Sequence, residues 1–181
     1  MRIIGGKFKG RKLRSVRGTR TRPTSDRTRE AIFNIIAFQL QDVRVLDLFA
    51  GTGALGIEAL SRGAERVDFV DCRKSCCDLI RANLEKIGEL EWAHIYCCSA
   101  SKAITFLDKS YDVIFIDPPY SNPTTNDLLV KLAKSKLLGE DSIIVVCHAN
   151  RFPLDTDYNG LHLIEKRRYG DTFISIYRKE V

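Results

Sequence analysis

The segment Val45 to Gly56, reading Val-Leu-Asp-Leu-Phe-Ala-Gly-Thr-Gly-Ala-Leu-Gly, restricts the available folds more than any other part of the chain. Val43–Leu48 is apolar apart from a few polar positions and reads as a buried strand. Closely spaced glycines then permit a tight turn, and an apolar helix follows through Leu60. A buried strand handed straight to a helix opens a βα unit, and the pattern recurs. Strands are expected at Arg66–Val70, Trp92–Cys97, Tyr111–Ile116 and Ser142–Cys147, with helices over Lys74–Ile87, Ser101–Leu107 and Asn126–Lys134. Parallel strands need crossover connections, so repeated βα units imply an α/β fold with a mostly parallel sheet and helices on both faces. Leu161–Lys166 and Phe173–Tyr177 alternate around Tyr169-Gly170-Asp171 and read as a closing antiparallel hairpin, giving seven strands in all. Before the first strand, Ser25 and Asp26 are N-cap candidates for a helix reaching about Gln39, with Ile32, Ile35 and Ile36 on one face. At 181 residues the chain suits one compact domain, residues 25–181, preceded by an arm over residues 1–24.

Charge divides the chain close to that boundary. Residues 1–29 hold eleven Lys or Arg against one acid, a net +10, whereas the rest carries 18 basic and 22 acidic side chains, a net −4. Arg dominates the arm (Arg2, Arg11, Arg14, Arg17, Arg20, Arg22, Arg27, Arg29), and guanidinium groups suit bidentate phosphate contacts, so the arm reads as a polyanion-binding element. The plainer reading, a solvated basic tail, fits less well with its glycine-punctuated short β-like pieces. Apolar runs are too short to span a bilayer, and the first residues lack a secretory h-region, so a cytoplasmic location is expected. Six cysteines include no C-x2-C pair, which favours reduced structural thiols over a metal site. Of the three histidines, His94 and His162 fall in strands, and His148 ends a strand at the sheet edge where a ligand would sit.

That edge is where the chemistry gathers. Gly51-x-Gly53-x-x-Gly56 formally matches a dinucleotide fingerprint, a weak signal alone. Asp71 ends the next strand, 20 residues after Gly51, where a carboxylate can accept from ribose hydroxyls. Three features favour S-adenosylmethionine over a dinucleotide. Asp47 precedes the loop where it can meet an ammonium, Phe49 can pack beside the cofactor, and no second domain follows for a dehydrogenase substrate. After the fourth strand comes Asp117-Pro118-Pro119-Tyr120. The paired prolines force an extended exit without N–H donors. Asp117 and the Pro118 carbonyl can then converge as acceptors on one exocyclic NH2 group, while Tyr120 offers a face for stacking an extruded base. An aryl amine is a poor nucleophile because its lone pair is delocalised, and accepting its hydrogens favours a more tetrahedral nitrogen. The loop serves guanine N2 and adenine N6 equally.

Taken together, these segments resemble the bacterial 16S ribosomal RNA guanine-N2 methyltransferase family (RsmD-type). The likeness is carried by Met1-Arg2-Ile3-Ile4-Gly5-Gly6-Lys7, by Gly18 to Arg27 with Arg29-Glu30-Ala31-Ile32-Phe33-Asn34, by Val45 to Gly63 and by Asp117 to Tyr120. It implies a Rossmann-like class I methyltransferase fold using S-adenosylmethionine to modify one guanine of small-subunit rRNA, of the guanine-966 type. By position, Asp47, Phe49, Gly51 and Gly53 would line the methionine side, Asp71 the ribose and Cys72 the adenine. Asp117, Pro118 and Tyr120 would hold the target base, and Arg20, Arg22 and Arg27 would steer RNA. The implied partner is the rRNA or an assembling 30S particle, met by a monomer with no metal and no membrane. Ser99 stands where such proteins commonly place an Asp against the adenine amine, which implies a weaker contact. The resemblance favours guanine N2 over an adenine-N6 methyltransferase; a non-catalytic RNA-binding assembly factor is the third alternative.

Overall fold

The computed structural model describes residues 1–15, 25–119 and 124–180. Helix α1 (Asp26–Ile35) is followed by β1 (Arg44–Asp47), α2 (Ala54–Ser61), β2 (Arg66–Asp71), α3 (Lys74–Ile87), β3 (Ala93–Cys97), α4 (Ala100–Phe106), β4 (Tyr111–Ile116), α5 (Thr125–Ala133), β5 (Leu138–Ala149), β6 (Leu161–Tyr169) and β7 (Thr172–Lys179). The strands form one sheet in the order β3-β2-β1-β4-β5-β7-β6. β1 to β5 are parallel, and β7 inserts antiparallel between β5 and β6. The strand order reverses between β1 and β4, which is where open α/β sheets place their ligand crevice.

Alternation within the strands builds two cores. Val45, Val67, Phe69, Val113, Phe115 and Val145 face α1, α2 and α3, whereas Leu46, Val70, Ile114, Ile116, Ile144 and Val146 face α4 and α5. Local signals set the helix ends. Ser25 caps α1, its Oγ accepting from Thr28 N at 3.1 Å, and Gly88 closes α3 in the left-handed region at φ 78°. α1 stops at Ile35, and Ala37–Gln39 continues as a separate 3-10 turn rather than as the same helix. β5 begins earlier than the apolar run suggests because a bulge opposite Tyr111–Val113 absorbs the polar Glu140-Asp141 pair. No helix among the described residues is long and apolar enough to cross a membrane.

The first fifteen residues dock onto the domain. Ile3, Phe8 and Leu13 are buried in the same core as α2 and α3. The buried Glu58 carboxylate accepts from Ile4 N at 2.8 Å, Gly5 N at 2.7 Å and Arg62 Nε at 2.8 Å. Ser61 Oγ donates to Gly5 O at 2.6 Å and accepts from Phe8 N at 3.0 Å. Asn83 of α3 pairs with the Arg14 backbone, Oδ1 accepting from Arg14 N at 2.7 Å and Nδ2 donating to Arg14 O at 3.1 Å; Nδ2 also donates to Thr52 O at 3.1 Å. Arg29, expected among the phosphate-binding cations, is instead fully buried. Its Nη2 donates to Arg2 O at 2.9 Å and to Asp26 at 2.6 Å, and Nη1 lies 3.9 Å from Glu58. Its helical position turns it inward, where it joins the segment to α1, so that guanidinium cannot reach a nucleic acid.

Candidate active site

Three carboxylates stand at or just beyond the carboxyl ends of adjacent strands: Asp71 on β2, Asp47 on β1 and Asp117 after β4. Asp47 is in register with Phe69 on one side and Phe115 on the other. The loop after β1 is pinned between its neighbours, with Leu48 N donating to Phe115 O and Ala50 N to Val70 O, both at 3.0 Å. Gly53 N then donates to Ala50 O at 2.7 Å, closing a turn that needs left-handed backbone at Gly51 (φ 56°) and Gly53 (φ 80°). Gly56 serves packing instead. A Cβ there would fall 2.2 Å from the Phe69 ring, so its absence lets α2 press onto β2. Above Gly51 a Cβ would approach nothing closer than Phe49 O at 4.0 Å, which leaves that side of the loop open.

The two acids nearest the loop have different surroundings. Asp71 accepts from Gly51 N and Arg73 N, each at 2.9 Å, and from Arg73 Nε at 3.3 Å. These bonds fix its carboxylate while leaving further lone pairs for a ligand hydroxyl. Asp47 is fully buried. Oδ2 accepts from Gly56 N at 3.2 Å, and Oδ1 has no hydrogen-bond partner among the described residues. Burial pushes the Asp47 carboxyl up to about 7, the Gly56 and Phe49 N–H groups oppose the shift, and the charges of Asp117 and Asp71 add to it. Burial likewise raises the Cys147 thiol well above its usual range, reinforced by Asp117 and Asp47. Asp47, Asp71 and Asp117 therefore share one field, at an open loop, with an unpartnered carboxylate oxygen below it. Such a crevice suits a cationic small molecule, and the ammonium and sulfonium of S-adenosylmethionine fit that field.

The remaining expected residues distribute as follows. Phe49 is partly buried beside the loop, Pro118 is buried and Cys72 is exposed directly after Asp71. Ser99 is exposed and caps α4, its Oγ accepting from Lys102 N at 3.2 Å, so one of its two acceptor sites is already used. Arg27 is exposed in the first turn of α1. Tyr120, Arg20 and Arg22 lie outside the described residues. His148 is buried, with Nε2 2.9 Å from Ser175 Oγ and its ring stacked on Phe173; burial lowers its pKa, which makes it a neutral packing group. The six cysteines are free, and no cluster of three His, Cys, Asp or Glu among the described residues could hold a metal ion. Sequence reasoning missed Glu58, Ser61 and Asn83. The one available signal was that polar groups sit within otherwise apolar helix faces, where burial requires partners.

The chain matches known proteins along almost its whole length. The family model described as Conserved hypothetical protein 95 covers residues 1–178. Bacillus subtilis YlbH is 40% identical over 182 residues, spanning 99% of each chain. Ribosomal RNA small subunit methyltransferase D of Haemophilus influenzae is 32% identical over 178 residues, 92% of this chain and 88% of that one. In the solved structure of Escherichia coli yhhF the fold recurs with a TM-score of 0.90 at 28% identity, over 100% of this chain and 98% of that one. With the family model over residues 1–178, two sequence relatives and one structural match covering nearly the whole chain, the chain belongs to the ribosomal RNA small subunit methyltransferase D family.

Proposed function

We propose that the protein transfers a methyl group from S-adenosylmethionine to the exocyclic N2 amine of a guanine in 16S rRNA, acting as a cytoplasmic monomer on the RNA or on an assembling 30S particle. The observation that carries this reading is the convergence of Asp47, Asp71 and Asp117 around an open glycine loop at the strand-order reversal. When bound, the cofactor supplies an electrophilic methyl on a sulfonium. In this reading Asp47 meets the ammonium of its methionine part, and the loop backbone at Gly51 and Gly53 lets it approach closely beside Phe49. Asp71 accepts from the ribose hydroxyls, Cys72 lies along the adenine, and Ser99 offers its remaining acceptor site to the adenine amine.

Asp117 and the Pro118 carbonyl accept the two hydrogens of the target amine. That pairing draws nitrogen toward tetrahedral geometry and turns its lone pair to the methyl carbon for in-line attack. The cofactor would supply the methyl electrophile and depart as its thioether, and the amine proton would need no strong base to leave. Tyr120 stacks the extruded base, with the unstacking cost met by that contact. Arg20, Arg22 and Arg27 would contact phosphates of the bound RNA.

The test is incubation with labelled S-adenosylmethionine and undermodified small-subunit RNA or particles, followed by nucleoside analysis. N2-methylguanine is the expected product. N6-methyladenine would move the assignment to the other purine amine. RNA binding without transfer, under conditions where the cofactor binds, would make the protein an assembly factor.

A further inference from the structure

A groove of about 450 Å³ runs between α1 and β6, away from the cofactor crevice. Its walls are Arg27, Glu30 and Asn34 from α1, and Glu165, Arg167 and Tyr169 from β6. β5 and β6 both pair antiparallel with β7, so β6 runs parallel to β4 and β5. Tyr169, its last residue, therefore reaches the same sheet edge as Asp117. Three strand spacings separate β6 from β4, roughly 14 Å at about 4.8 Å each. A few nucleotides of single-stranded RNA bridge that distance.

The lining indicates what the groove would take. The half-buried Tyr169 ring packs on the core and gives a rigid platform. The Arg167 guanidinium is held by Tyr169 and by the Glu165 carboxylate, which keeps it extended along the strand. Arg27 lines the same groove from α1. Two guanidiniums and two carboxylates cancel, so the groove is not a phosphate trap; a bare polyanion site would carry no acids. An aromatic face, an exposed amide and carboxylate acceptors match a nucleoside, whose base edge and 2′-hydroxyl present donors and acceptors together. The cations then lie where its flanking phosphates would leave. We infer that this groove seats a nucleotide flanking the methylated base; the inference rests on the proposed activity toward rRNA.

The experiment measures binding and turnover separately for Asn34→Ala, Arg167→Ala and Tyr169→Ala, with Lys109→Ala at the opposite sheet edge as control. The probes are undermodified small-subunit RNA, naked and assembled into particles, and S-adenosylhomocysteine for the cofactor site. Loss of a base stack predicts about a tenfold or greater loss of RNA affinity for Tyr169→Ala. The expected pattern is a raised KM for RNA, unchanged kcat, unchanged S-adenosylhomocysteine affinity and no effect of Lys109→Ala. Asn34→Ala changes an exposed helix position and keeps the test valid if Tyr169→Ala misfolds. Wild-type affinity for naked RNA in all three groove variants would overturn the inference, as would a loss confined to particles, which would assign the groove to a ribosomal protein. If the wild type binds RNA without turnover and the groove variants still lose affinity, the groove stands and the proposed activity falls.

Discussion

Replacing Asp47 with Asn should make the protein more resistant to alkaline pH while weakening its hold on the cofactor. The wild-type carboxyl moves from an ordinary 3.8 to about 7 on folding, close to three pH units and so about 4 kcal/mol at full ionisation. Because the folded-state value is the higher one, the stabilising contribution is complete below pH 3.8. It is lost progressively as pH rises and is exhausted above about 7. Between pH 5 and pH 8 this one group should remove about 2 to 3 kcal/mol from the wild type and nothing from the variant. The Asn side chain still presents an oxygen to Gly56 N, but its amide nitrogen takes the place of the unpartnered Oδ1. That adds a fixed, pH-independent cost, so the informative quantity is the change in the difference between the proteins. Urea unfolding followed by circular dichroism at pH 5, 6.5 and 8 measures it. Curves that stay parallel across the range would refute the idea that an uncompensated carboxylate is buried beneath the loop. On the proposed function, calorimetry should show the variant binding S-adenosylmethionine more weakly, since the ammonium loses its counter-charge.

Asp117→Ala should abolish methyl transfer while leaving S-adenosylhomocysteine affinity within about twofold, checked by single-turnover assay and calorimetry; a fully active variant would remove Asp117 from the chemistry. Gly56→Ala drives a methyl group into the Phe69 ring and should destabilise by about 1 to 3 kcal/mol despite alanine's better helix propensity, visible as a lower Tm. Asn83→Leu removes the partner of the Arg14 backbone and of Thr52 O, at about 0.5 to 1.5 kcal/mol for each lost hydrogen bond, and should speed proteolysis near residue 14 relative to wild type. Replacing Arg20 and Arg22 together with Ala should weaken RNA binding and reduce the slope of log affinity against log salt by about 1 to 2, measured by filter binding.

The sheet was legible because its central parallel strands are buried on both faces and bounded by turn residues, so Val113–Ile116 stands out as an apolar run. The crevice was legible for a related reason. Left-handed glycines and an acid at a strand end leave a spacing that few other structures require. The short β-like pieces of the N-terminal segment were legible and meet in the Arg2–Lys12 bridge, but their docking onto the domain was not. Ile3, Phe8 and Leu13 recur every five residues, a period that belongs to neither helix nor strand, and the partners that bury them lie more than fifty residues away. Arg29 was misread for the same reason, since composition cannot separate a cation facing solvent from one facing Glu58. The full extent of β5 was hidden by its bulge, where a positive φ at Asp141 lets polar residues sit inside a strand.

The insertion of β7 between β5 and β6 orders how this sheet can be completed. Within the sheet β6 pairs only with β7 among the described residues, so although it is made first, beyond its turn back onto residues 156–158 it has no strand to join until residues 172–179 have followed it. The parallel half can close as soon as β5 emerges, whereas both walls and rim contributed by β6 wait for the final strand. A nascent chain would thus gain its small-molecule crevice before the edge carrying Arg167 and Tyr169, and any truncation that removes β7 releases β6 along with it.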